Sequence, residues 1–402
     1  MAVPLLRFKE FQGDWSTERI SKFADVFKGR LLGHDDITED GLPCILYGDL
    51  YTKYDEIIST VVRRTKTTEG VVKAVSGDVI VPSSGETAID IATSGCVLCD
   101  DVILGGDLIV IRHNQDGCFI SYSLSGVNKK KIARLAEGAS IFHLYPEHLK
   151  KLDIRMPQLD EQHKIANLLE LLDKRIKCQQ RKVELLKEYK KLLTHDVFSR
   201  NIVFEDENTK CSAWKRICLG KCYLKGKAGG TPKTTYREYY VGGQVPFLSI
   251  TDMTGQGKHI RHTEKHITEL GVKNSSAWRV PPGSLILSMY ASVGFVSINT
   301  IELATSQAMF SMIFNDEKMR DYVYYFLQFF RNTQIHKYIE VGTQGNINAD
   351  VIKMIPIYVP AEKERDKISN LLGNLDCAIE NNSTALDGLL RLKAGLLSQM
   401  FV

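Results

Sequence analysis

The sequence predicts an α+β protein in which two globular α+β domains are separated by two long antiparallel helices forming a coiled coil, with an internal pseudo-twofold repeat. Three observations predict it. The chain has 402 residues, more than the roughly 250 that one core buries. It contains an ungapped repeat. Between the repeat copies lie β-branched runs bounded by Gly, Pro and Asp. Hydrophobic residues at 44% and charged residues at 25% are those of a globular protein and exclude a disordered, collagenous or mucin-like chain.

The first segment, residues 1–157, holds runs such as VVKAVSGDVIVPSSG (71–85) and DDVILGGDLIVIRHN (100–114), which read as strands. Residues 158–200 follow as a helix, because apolar residues recur at three- and four-residue steps (Ile165, Leu168, Leu172, Ile176, Val183, Leu186, Leu193, Val197) with no Pro or Gly between 158 and 198. Residues 201–359 form a second domain with strand-like GQVPFLSITDM (243–253) and PGSLILSMYASVGFVSI (282–298), and one clear helix candidate at 316–338. Residues 360–402 repeat the helix. PQLDEQHKIANLLELLDKRI (157–176) over PAEKERDKISNLLGNLDCAI (360–379) gives 10 identities in 20 positions, and the offset of 203 continues through Lys190/Lys393 and Leu193/Leu396 to Phe198/Phe401. Both copies start at a proline followed by acids, which suits the positive end of a helix dipole. Gly373, Gly388 and Gly395 each cost the second helix about 1 kcal/mol relative to Ala, so it needs a partner. The domains also open alike, with Gly13-Asp14-Trp15 and Ser212-Ala213-Trp214.

The net charge of +4 is unevenly spread: −3 over 1–159, +3 over 160–200, +5 over 201–360 and −1 over 361–402. A nucleic-acid partner would be held through local clusters rather than a global field. No apolar run of about 18 residues occurs, and Arg7 and Lys9 interrupt the opening stretch, so neither a membrane span nor a signal peptide is expected and the cytoplasm is the expected location. Nine scattered cysteines read as thiols rather than a disulfide framework. Cys96-x2-Cys99 followed by His113 and Cys118 has a spacing near that of a zinc site, but extended backbone sends Cys96 and Cys99 to opposite faces and buried thiols are common. No metal is expected. His34, His259, His262 and His266 sit in polar stretches and read as solvated or phosphate-facing.

The opening LLRFKEFQGDW, the helix starts PQLDEQHKI and PAEKERDKI, and the blocks GGTPKTTYREYYVGGQVPFLSITDM, ITELGVKNSSAWRVPPGSLILSMYASVG and TQGNINADVIKMIPIYVP together resemble the specificity subunits of type I restriction–modification enzymes over essentially the whole chain. Arg365 stands where the family usually has Gln. The resemblance implies a non-catalytic subunit. Two target-recognition domains would read the halves of a bipartite DNA site, and the helix pair would set their separation and dock two methyltransferase subunits, with two motor-nuclease (restriction) subunits completing the complex. It implies no cofactor here; S-adenosylmethionine, ATP and Mg would belong to the partners. The residues agree: no Asn/Asp-Pro-Pro-Tyr/Phe motif occurs, and GKAGGTPK (226–233) lacks the ending of a phosphate-binding loop. Its glycines read as letting backbone approach DNA phosphate.

Phosphate contacts position a DNA binder and base contacts specify the sequence. In the first domain Lys28, Arg30, Arg63-Arg64-x-Lys66 and Lys129-Lys130-Lys131 are candidate phosphate contacts, with solvated faces the alternative. YGDLYTKYD (47–55) interleaves Tyr47, Tyr51 and Tyr54 with Lys53 and resembles a family loop near the DNA, with core aromatics at strand spacing an equal explanation. In the second domain Lys225, Lys227, Thr231, Lys233 and Arg237 surround the glycine loop, and Gln344, Asn346 and Asn348 alternate before the last strand. These amides suit base-edge readout or turn formation. On the helices Glu161, Lys164, Asn167 and Asp173, with the matching Glu364, Lys367, Asn370 and Asp376, are the candidate partner-binding positions. A helix of about 39 residues spans about 58 Å.

Overall fold

A computed structural model describes residues 3–30, 32–202, 204, 214–339 and 345–402. The chain forms two compact units, and each cuts across the sequence segments: 1–181 with 383–402, and 182–382. Each unit is therefore a globular domain with the first half of the helix that follows it and the second half of the other helix. The helices run Leu159–Phe198 and Glu362–Met400. Within the first unit Ile165 and Leu169 share a core with Met400 and Phe401, while Asp173 meets Lys393. Advancing along one helix means retreating along the other, so they are antiparallel. The second unit repeats this, with Val197 sharing a core with Ile368 and Lys190 meeting Asp376.

The domain interiors, divergent in sequence, share the strand order of their two main sheets, to which the first domain adds an edge strand, Ile37–Thr38, and a small three-stranded sheet. In the first, a five-stranded sheet runs in the order Ala24–Lys28, Leu108–His113, Val79–Pro82, Gly95–Val97, Ile57–Ile58, beside a second sheet ordered Ile37–Thr38, Arg63–Thr65, Leu42–Ile45, Ile103–Leu104, Val72–Lys73. In the second, the order is Lys225–Ala228, Met309–Ile313, Leu285–Ser288, Val296–Asn299, His259–Ile260, beside Lys265–Ile267, Val245–Leu248, Leu303–Thr305, Arg279–Val280. The matching pairs Gly95–Val97 with Ile57–Ile58 and Val296–Asn299 with His259–Ile260 are both parallel. The central strands are buried on both faces, as in Leu285–Ser288 and Val296–Asn299, so they read as continuous apolar runs rather than alternating ones.

Each domain is closed by an antiparallel pair joining its start to its end: Ser16–Arg19 with Asp153–Met156, and Lys215–Cys218 with Pro356–Val359. The preceding tryptophans fix these seams. Trp15 packs edge-on against Phe119 and Phe401, and Trp214 donates its indole N–H to Glu364 at 3.1 Å. A domain helix then packs on the long helices: Glu317–Thr333 in the second unit, within the expected 316–338, and Gly117–Ser125 in the first. The latter, GCFISYSLS, begins with Gly and carries three serines, and burial of most of its length overrides that weak local preference. Among the described residues no helix is long and apolar enough to cross a membrane.

Candidate nucleic-acid interface

Four loops gather at one end of each domain's sheets, held by equivalent bonds. In the first domain Gly29 lies against the carbonyls of Leu104 and Gly105, so close that a Cβ would stand 2.1 Å from the Gly105 oxygen. The Ser83 amide donates to Asp107 O at 2.8 Å, and the Leu144 amide to Ser83 O at 3.0 Å. In the second, a Cβ on Gly229 would stand 2.0 Å from Thr305 O. The Met289 amide donates to Ala308 O at 2.7 Å, and the Ile347 amide to Met289 O at 3.0 Å. Gly29 therefore corresponds to Gly229, and Ser84 to Tyr290.

These contacts correct the reading of GKAGGTPK. Gly229 and Gly230 are needed for backbone packing on Thr305 and on Ser276, not for approach to phosphate, and both are buried. Thr231, beyond them, is exposed and donates its hydroxyl to Gln307 Oε1 at 2.5 Å. Lys233 and Arg237 are exposed on the same loop. Lys225 and Lys227 lie on the preceding strand, each over the ring of Trp278 at 5.2 and 5.9 Å. Asn346 adjoins Ile347 in this loop cluster. Asn348 instead caps the helix Ala349–Met354, accepting from the Val351 amide at 2.9 Å, so it is a turn-forming amide. Gln344 lies outside the described residues.

In the first domain Tyr47 precedes and Tyr51 sits within a helical turn, Asp49–Thr52, rather than standing at strand spacing. Their exposed rings meet edge-on at 6.4 Å and line a cleft of about 980 Å³ with Ser84, Glu86, Asp90 and Ser140. Burial pushes the Tyr51 phenol up, which keeps it a donor to Ser84 O at 2.8 Å. Lys53 and Arg63 both pair with Asp49, at 3.3 and 2.8 Å, and that carboxylate is 0% exposed. Arg63 thus compensates a buried charge and has little freedom to meet phosphate. Arg64 is exposed and bonds Gly41 O, and Lys66 pairs with Asp40. Lys28 lies over Tyr145, and Arg30 is exposed beside Gly29. Lys129–Lys131 begin a short helix just beyond Gly126, which faces Leu397 of the second long helix. They stand on the helix side of the unit, apart from the loops.

The cysteines separate as extended backbone requires. Cys96 faces the core that holds Phe119, with its thiol against Cys118. Cys99 turns the other way and bonds Ser59 O at 3.2 Å. Among the described residues no group of His, Cys, Asp and Glu has metal-holding geometry.

Of the helix positions, Glu161 is buried and takes two bonds from Arg7, at 2.7 and 2.8 Å. Glu364 accepts from Trp214. Lys164 pairs with Glu10 and covers Phe8. Asn370 accepts from Lys318 at 2.6 Å, and Asn167 and Lys367 are exposed. Where the first helix uses buried Gln162 to bond Pro157 O, Gln115 and the Asp116 amide, the second places Arg365 beside Asp316 at 2.9 Å. Asp116 and Asp316 both cap the domain helices, so the Gln-to-Arg departure keeps the junction and changes its chemistry.

Asp173 and Asp376 face inward. Asp173 accepts from Tyr122 at 2.6 Å and from Lys393 at 2.8 Å, and Lys393 also reaches Glu56 at 2.9 Å. Asp376 accepts from Tyr325 at 2.6 Å, from Lys190 at 2.5 Å and from Lys258 at 3.0 Å. The three residue types recur at the offset of 203. Tyr122 and Tyr325 were missed from sequence, although extending the repeat upstream pairs Phe119/Tyr322, Ile120/Val323, Tyr122/Tyr325 and Leu124/Leu327.

A family model described as the type I restriction modification DNA specificity domain matches the chain twice, over residues 12–188 and 212–390. The chain belongs to that family. Family relatives include the type I restriction enzyme MjaIX specificity subunit of Methanocaldococcus jannaschii, 29% identical over 43% of this chain and 40% of that one. The HindI specificity subunit of Haemophilus influenzae is 29% identical over 38% of this chain and 34% of its own length; the chain thus spans under half of these two relatives. The MjaVIII specificity subunit of M. jannaschii is 23% identical over 93% and 90%. The fold is that of the type I restriction–modification S subunit from M. genitalium, with TM-score 0.65 and 17% identity over 100% of this chain and 99% of that one. Both family domains span a loop cluster and half a helix pair, so the specificity family's repeat is one of structure as well as sequence.

Proposed function

We infer that this chain is the DNA-specificity subunit of a type I restriction–modification system, acting in the cytoplasm on a bipartite double-stranded site. The observation that carries the reading is the pair of equivalent loop clusters, different in side chains, borne by one strand topology on repeat-related helices. Two such faces read two half-sites, and the helices between them set the spacer. Phosphate contacts come from exposed cations bordering the loops, Arg30 and Arg64 in the first domain and Lys233 and Arg237 in the second. The chain itself neither methylates nor cleaves. It docks two methyltransferase subunits through the exposed positions of its repeated helices, and two restriction subunits complete the assembly; S-adenosylmethionine, ATP and Mg act on those partners.

The test is methylome sequencing of a strain expressing this chain with its methyltransferase subunit. A split motif that vanishes when the chain is deleted is expected. Methyl transfer by the purified chain alone, or an uninterrupted motif, refutes the reading.

A further inference from the structure

We propose that Glu86 reads a cytosine: its carboxylate accepts the exocyclic amino group of that base in the half-site bound by the first domain. The proposal rests on the reading of this chain as a DNA-specificity subunit and names one base-reading residue within it.

Glu86 follows Ser84 and Gly85 on the rim of the 980 Å³ cleft that Tyr47 and Tyr51 line. Its loop is fixed from three sides: by the Ser83 amide on Asp107 O, by the Leu144 amide on Ser83 O, and by the Tyr51 hydroxyl on Ser84 O. Gly85 is held against that same hydroxyl, 2.9 Å from where a Cβ would stand. The neighbouring acids are engaged. Asp49 is buried between Arg63 and Lys53, and Asp90 accepts from Thr87 at 2.5 Å. Glu86 is exposed and, among the described residues, has no hydrogen bond or ion pair, so a rigid loop presents an uncompensated carboxylate at the interface.

A carboxylate there is repelled by every phosphate, which would weaken binding unless it gains a partner in the groove. The duplex offers it amino hydrogens. Cytosine shows its N4 amino donor alone on the major-groove edge, whereas adenine sets the N7 acceptor beside N6, where it would face carboxylate oxygen. Glu therefore favours cytosine, and Gln, with one acceptor and one donor, favours adenine. The second domain carries Tyr290-Ala291-Ser292 on the equivalent loop, with no acid. The carboxylate is thus a property of one half-site, not of the shared scaffold.

The experiment uses the full chain with its methyltransferase subunits, comparing wild type, Glu86→Ala and Glu86→Gln by methylome sequencing and by binding to duplexes varied at each position. Wild type should require a C:G pair at one position of one half-site. Glu86→Ala should lose roughly ten- to hundredfold of that discrimination, and Glu86→Gln should move the preference toward adenine, with the other half-site and the spacer unchanged. An unchanged motif in both variants, or tighter binding to all sequences alike, overturns the proposal by making Glu86 only a source of repulsion. A wild type that yields no split motif at all fails the specificity-subunit reading itself, a different result, and takes the proposal with it.

Discussion

Replacing Lys393 by Met and its repeat partner Lys190 by Met is the same change at equivalent positions, yet the two should differ sharply in cost. Lys393 is 17% exposed and sits between Asp173 and Glu56, at 15% and 21%. Both acceptor oxygens lie within 2.9 Å of its Nζ, hence within about 6 Å of each other. Without the lysine they repel by about 3 kcal/mol at an effective dielectric of about 20, in keeping with the roughly 3–5 kcal/mol cost of leaving a buried charge unpaired. Lys190 is different, because Asp376 keeps Lys258 at 3.0 Å and Tyr325 at 2.6 Å, and its loss also relieves repulsion between the two lysines. About 1 kcal/mol is expected there, one charged hydrogen bond less that relief. Hydrogen exchange of the helices Gly117–Ser125 and Glu317–Thr333 reads the two units separately. Glu56→Gln should restore most of the stability lost in the Lys393 variant. Burial works to lower the Lys393 pKa, but Glu56 and Asp173 overcome it and leave it raised. Its contribution is therefore present below the ordinary lysine value of about 10.4 and lost only as pH rises through the raised one. Equal losses for the two lysines, or a larger one at Lys190, would refute the argument from local charge.

Arg63→Ala should destabilise the first unit by about 2–4 kcal/mol, since Asp49 would keep only Lys53, whereas Arg30→Ala and Lys233→Ala should leave stability intact and each lower the salt slope of DNA binding by about 1; denaturant unfolding beside salt-titrated binding separates them, and a normal unfolding midpoint for Arg63→Ala counts against its structural role. Inserting seven residues at matching depths in both long helices should preserve the apolar seam and lengthen the spacer by about 10.5 Å, or about 3 base pairs, with the half-sites unchanged. An active enzyme with its original spacer, read by methylome sequencing, would show that the helices are not the ruler.

The helices and their repeat were legible in the sequence because their junctions constrain residue identity: a buried lysine tolerates no substitute for its acid, so Asp173/Asp376 and Lys190/Lys393 persist at one offset. Strand order leaves no such trace. Backbone bonding fixes Leu108–His113 and Met309–Ile313 in the same place, while their side chains need only be apolar, and the common topology was hidden behind divergent sequence. Charge was misread for a related reason. Arg63 in a basic triplet looks like a phosphate contact until Asp49, 14 residues away, is folded beneath it, and a carboxylate such as Glu86 attracts no notice in a domain of net charge −3 until its neighbours are seen to be paired and it is not. The free charges at the loop clusters are those the fold has not neutralised, and only the folded arrangement reveals that subtraction. The division of labour follows from the same physics: the frame holds its residues by mutual pairing and is conserved between the two halves of the chain, whereas the loops Ser83–Glu86 and Met289–Gly294 are held mainly through their own backbone groups, as at Ser83, Ser84 and Met289, and leave their side chains at liberty to differ, so one scaffold can present two different half-site readers.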